Sequence, residues 1–230
     1  LVLNRDPYQK INSLSGVKTL VLLGYGEKHI GNVMHKMLFR EGGTGMRLIR
    51  DEHTKRWRVW KKWQPYDAAY AEKTRQAPPL IPDRFVKPNS WAWEDKRQYI
   101  FSHVELTTGW EIKAYSTNGE PKHYQGFDAH WVHVDEDMQH AGWYEESLAR
   151  MMNVAGRLRW TAMPHDDACD VLPTLIKLGD EQAGLPEEKR TIDIIRASAF
   201  DNPWLDKTEL ERNITVWKAK GEDVFLKRVY

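Results

Sequence analysis

Apolar and polar positions along the chain predict an α/β order of elements. Val17 to Leu23 (VKTLVLL) is a nearly continuous apolar run, the pattern of a strand covered on both faces. Gly24 and Gly26 punctuate it. A helical stripe of Ile30, Val33, Met34, Met37 and Leu38 follows, stopped by Gly42 and Gly43. Strand, turn and helix in that order open a parallel α/β unit. From Thr54 to about Pro88 the periodicity fades, which predicts an irregular excursion, first basic and aromatic (KRWRVWKKW), then rich in proline. Tyr99 to Leu106 and Trp110 to Ser116 read as two strands around a Thr107-Thr108-Gly109 hairpin turn.

Ala129 to Val134 is the next predicted strand and ends in Asp135-Glu136. A helix with Tyr144, Leu148, Met151 and Met152 at helical spacing follows. Gly156 breaks it, and Arg157 to Met163 predicts another strand, closed by Pro164. Gly179 to Arg190 is polar and loop-like, and Thr191 to Phe200 (TIDIIRASAF) reads as a late strand running into Asp201-Asn202-Pro203. The last helix starts at a capping box, Asp206 with Glu209, and buries Leu210, Ile214 and Trp217.

The bulk numbers narrow the class. The chain has 230 residues, 41% hydrophobic and 29% charged, which suits one sizeable soluble α/β domain, or at most two small ones. No apolar run approaches the roughly 20 residues that cross a bilayer. The single Cys169 has no partner for an internal disulfide, so a reducing compartment fits. A net charge of +1 exerts no general pull on nucleic acid, so any such contact must come from a local patch.

The segment Gln125 to Met138 (QGFDAHWVHVDEDM) carries the chemistry. An apolar strand that delivers two adjacent carboxylates at its carboxyl end can serve nucleotide hydrolysis. Neighbouring side chains on a strand point differently, so the two acids can divide the work. Asp135 suits the water shell of Mg²⁺ beside the phosphates. Glu136 suits orienting the attacking water for in-line displacement. The plain alternative is a pair of solvated turn acids. One helix later Thr161 and Pro164 close the next strand, and in helicase-like motors a polar residue there couples γ-phosphate loss to DNA grip.

Other candidates are weaker. Lys55, Arg56, Arg58, Lys61 and Lys62 mix with Trp57, Trp60 and Trp63, a composition that tracks a phosphate backbone. The same tryptophan spacing fits one edge of an amphipathic helix with a solvated basic face, the preferred reading. His123, His130, His133 and His140 suggest metal, yet positions three apart on a strand face opposite sides. The cluster His165, Asp166, Asp167, Cys169 and Asp170 lacks a zinc spacing and reads as a solvated loop.

The elements GVKTLVLLG, EGGTGM, YQGFDAHWVHVDE, GRLRWTAMP and SAFDNPWLDKTELERNI occur in an order that resembles phage DNA-packaging terminase large subunits. The resemblance covers about Val17 to Tyr230, with Asp201-Asn202-Pro203 and Arg228 at the places that close the motor domain. It implies a three-layer α/β domain with a mainly parallel sheet of the P-loop NTPase (catalytic-glutamate) class and an added hairpin, filling 1–230. It implies ATP and Mg²⁺ as cofactors, with Asp135 the metal-associated acid, Glu136 the catalytic glutamate and Thr161 the coupling residue. The implied partners are double-stranded DNA, the procapsid's portal protein, the terminase small subunit and further copies in a ring, in the host cytoplasm.

One departure stands out. A phosphate-binding loop needs Gly-Lys-Ser/Thr, and none of the fifteen glycines is followed by lysine. The expectation is that this loop, and the family's nuclease domain, lie outside the sequence. Asp6-Pro7-Tyr8-Gln9 resembles the segment before such a loop, where Gln9 would read adenine; a surface position is the plainer reading. The rival functions are a helicase-like or repair ATPase, and a DNA- or portal-binding module of the same fold without turnover.

Overall fold

The computed structural model describes residues 16–61, 65–121, 124–162, 169–201 and 205–221. The chain divides into two compact units, Val2–Ala162 and Met163–Tyr230.

In the first unit, β1 (Lys18–Gly24) is central because Val21, Leu22 and Leu23 are buried by neighbours on both faces. It pairs in parallel with β7 (Trp110–Ser116) on one side and β8 (Trp131–Asp135) on the other. β9 (Arg157–Thr161) adds in parallel beyond β8. Beyond β7 lie β6 (Ile100–Glu105) and β5 (Ala92–Asp95), each antiparallel to its neighbour. The order is β5-β6-β7-β1-β8-β9, and β6 alone of the six runs against the rest. The expected hairpin is therefore β6–β7, and it is built into the main sheet.

Helical segments cover both faces. On one side lies α1 (27–39), whose middle turn Ile30–His35 is π-helical between the α-helical pieces Glu27–His29 and Lys36–Phe39. Its Ile30, Met34 and Phe39 pack with Leu22, Phe101, Val104, Ile112 and Ala114. Phe101, Val104 and Ile112 have no exposed surface, and burying a side chain of this size stabilises by about 1.5–3 kcal/mol. Gly31 lets the π-helical turn press on the 98–99 turn, since a Cβ there would sit 2.2 Å from the Gln98 carbonyl. Such a contact admits no side chain.

On the opposite face lies α2 (Gly142–Met152), with Trp143, Ser147 and Met151 buried. The stripe is rotated from the expected one: Leu148 and Met152 are 43% and 78% exposed. Trp143 sets the rotation by donating Nε1–H to the Gly119 carbonyl at 2.6 Å and packing on Tyr124 and Tyr115.

A second sheet, β3-β2-β4, corrects the helical reading of KRWRVWKKW over its described residues 55–61. β2 (Arg47–Arg50) pairs antiparallel with β3 (Trp57–Val59) and with β4 (Arg75–Gln76). The physical reason is non-local. Asp67, fully buried, takes both ends of the Arg58 guanidinium and the Lys61 N–H. Trp60 donates Nε1–H to the Asp67 carbonyl at 2.7 Å. These bonds fix extended backbone where spacing alone also fits a helix.

In the second unit, α3 (Val171–Gln182) occupies part of the stretch expected to be a loop. Residues 191–198 form no strand. They run extended along α3, tied by the Gln182 carboxamide oxygen, which accepts from the Thr191 and Ile192 N–H groups, and by a paired Arg196–Asp180 contact. Side chains take the place of a backbone ladder. α4 (Lys207–Lys220) starts as expected, with Asp206 accepting from the Thr208 and Glu209 N–H groups, and ends at Gly221 in left-handed backbone (φ 68°).

Candidate active site

Polar groups from three parallel strands and α1 meet at the carboxyl end of β8. The register pairs Gly24 with Asp135 and Asp135 with Thr161, so β1, β8 and β9 end side by side. His133 and Asp135 share the α1 face of β8, while Val132 and Val134 are buried on the other.

Asp135 is held from two sides. The Thr161 hydroxyl donates to Oδ1 at 2.7 Å, and His29 Nε2 lies 2.9 Å from Oδ2. Gly24 packs directly against this histidine: a Cβ there would come within 3.1 Å of the His29 ring. Hydrogen bonds from His29, then from Thr161, keep the Asp135 carboxyl below its ordinary range despite its partial burial. His133, lining the same face, is pushed below its ordinary value by burial, against the opposing pull of Asp135.

Glu136 leaves the strand by a turn that few non-glycine residues adopt. Its φ is +68°, in the left-handed region. The backbone is locked on both sides: Glu136 N–H donates to the Thr161 carbonyl at 2.7 Å, and its carbonyl accepts from Trp160 Nε1–H at 2.6 Å. Glu136 therefore lies in a left-handed turn past the strand end, where continued strand alternation was the expectation. The cost is on the order of 1–2 kcal/mol, and β9 maintains it.

The structure joins Asp135 to Thr161 through their side chains, ties Glu136 to Thr161 through the backbone, and adds His29, which the sequence reading missed. The available signal was the Gly24-Tyr25-Gly26 turn, which places the start of α1 above the carboxyl end of β1. Gln9, Lys62, His123, the 165–167 cluster, Asn202, Pro203 and Arg228 lie outside the described residues. Lys55 and Arg56 are exposed, whereas Arg58 serves the buried Asp67 and the Lys61 N–H does the same. His130 is engaged structurally, with Nδ1 accepting from the Thr19 N–H at 3.1 Å. Among the described residues no three His, Cys, Asp or Glu side chains gather as a metal-holding group.

A cavity of about 380 Å³ lies elsewhere, lined by Ile49, Arg50, Asp51, Glu52, Lys55, Tyr70 and Lys73. Neither Asp135 nor Glu136 lines it. Among the described residues no helix is long and apolar enough to cross a membrane. Compared with models of protein families, with characterised proteins and with solved structures, the chain gives no match.

Proposed function

We propose that this chain is the ATP-hydrolysing motor part of a viral DNA-packaging terminase large subunit, with a P-loop NTPase fold of the catalytic-glutamate class. The observation that carries this reading is the Thr161–Asp135–His29 chain of contacts beside the left-handed Glu136. An acid held ionised at the carboxyl end of a parallel strand sits where ligands of open α/β sheets are bound. A second acid kept in costly backbone beside it is the expected form of a residue whose side chain is needed.

The residues fit magnesium in a limited role. The Asp135 side chain is ionised and 28% exposed, so it can face one side of the ion's water shell while phosphates face the other. The ion would neutralise charge on the transferring phosphate. Glu136 accepts the proton of an attacking water and orients it in line. Thr161, bonded to Asp135 and hydrogen-bonded through its backbone to Glu136, links both acids to β9. The phosphate-binding loop, double-stranded DNA, the portal, the small subunit and ring neighbours complete this reading, in the host cytoplasm.

The test is hydrolysis by the intact gene product. Glu136→Ala lowers kcat by about 10²–10⁴-fold with ATP affinity retained; undiminished turnover overturns the reading. One observation favours a second reading, a DNA-binding module without turnover: both Asp135 oxygens already have protein partners. That module loses no function in Glu136→Ala.

A further inference from the structure

We infer that the β3-β2-β4 sheet is a docking surface for the sugar-phosphate backbone of duplex nucleic acid. The residues between Met46 and Gln76 include nine Lys and Arg against four Asp and Glu, whereas the whole chain has 34 against 33. The rest of the molecule is therefore net acidic, and the positive field is concentrated in this lobe. That arrangement attracts a polyanion at one place.

The register says which groups share a face. Arg50 is directly opposite Trp57, and Leu48 pairs with both Val59 and Arg75, so Arg50, Trp57 and Arg75 stand on one face. All three are exposed, Trp57 by 43%. The Arg75 guanidinium lies 3.7 Å over the indole. A guanidinium stacked this way is held in place while its N–H edge stays directed outward, the form that suits phosphate. Arg50 also lines the cavity shared with Lys55, Tyr70 and Lys73, to which Ile49 and Asp51 contribute from the other face of the sheet. Of the two acids of that cleft, Asp51 caps the His53 and Thr54 N–H groups and lies 3.7 Å from Arg58, while Glu52 is exposed.

This surface differs from the basic cluster marked in the sequence, since Arg58 is spent on Asp67. It supplies a DNA contact to the motor reading, yet it stands on charge and register without nucleotide hydrolysis. The assay therefore omits nucleotide, so its failure and that of the ATPase are separate results.

Fluorescence anisotropy of a labelled random-sequence duplex with the 230-residue chain, from about 50 to about 200 mM salt, tests it. The double change Arg50→Ala with Arg75→Ala weakens binding about tenfold or more and reduces the salt slope by roughly two. Arg50→Lys with Arg75→Lys retains the slope, which separates charge from damage to the fold. Trp57→Ala weakens binding several-fold with the slope kept. No wild-type binding at low salt, unchanged affinity in the double Ala variant, or preference for single strands overturns the inference.

Discussion

Thr161 donates its hydroxyl to the Asp135 carboxylate across the β8–β9 pair at 2.7 Å, joining residues 26 positions apart in the chain. The same threonine's carbonyl accepts the Glu136 N–H. One residue of β9 thus orients both acids. Thr161→Val keeps the shape and removes the hydroxyl. It raises the Asp135 carboxyl pKa, read by NMR titration, and costs about 1 kcal/mol in urea unfolding, discounted for partial exposure. An unmoved carboxyl pKa contradicts this assignment.

Glu136 holds left-handed backbone that glycine adopts at little cost. Glu136→Gly therefore stabilises the fold by about 1 kcal/mol while abolishing hydrolysis in the intact protein. Thermal unfolding and an ATPase assay on one preparation measure both. A variant that is less stable than wild type shows the side chain to be structural.

His35 sits among Phe39, Trp91, Trp93, Tyr99 and Phe101, with ring centroids 5.1–6.0 Å away. Burial, then Arg40, lowers its pKa to about 4. In the unfolded chain it titrates near the ordinary histidine value of 6.5. Between these values the unfolded state binds more protons, so stability falls as pH drops through this window. His35→Phe removes that part of the slope. Equal pH dependence of wild type and variant between about pH 6.5 and about pH 4 would count against the buried neutral ring.

Asp67 is fully buried and relies on Arg58 for charge compensation. Arg58→Ala leaves that carboxylate unpaired and destabilises the three-stranded lobe by about 3 kcal/mol or more. Amide exchange in β2 and β3 reports it. Protection unchanged from wild type rejects the ion pair as the lobe's anchor.

These cases show what the sequence could and could not convey. β1, the β6–β7 hairpin, β8, β9 and the Asp206 cap were legible because local period and turn chemistry decide them. The tryptophans at 57 and 60 misled because their spacing fits a helix, while the Arg58–Asp67 pair that selects a strand is set by folding. Ile192 and Ile194 looked like a strand, yet they pack close to Gly179 of α3, with Gln182 taking the N–H groups. The acid pair and Thr161 were visible in the chain. His29 was not, because its contact with Asp135 spans 106 positions.

The central claim is that Asp135 faces a magnesium-bound nucleotide. Water-proton relaxation during Mn²⁺ titration of the intact protein with a non-hydrolysable ATP analogue tests it most directly, comparing wild type with Asp135→Asn. The account predicts about a tenfold or greater loss of Mn²⁺ affinity in the variant, seen only when the analogue is present. Equal Mn²⁺ affinity in both proteins contradicts it.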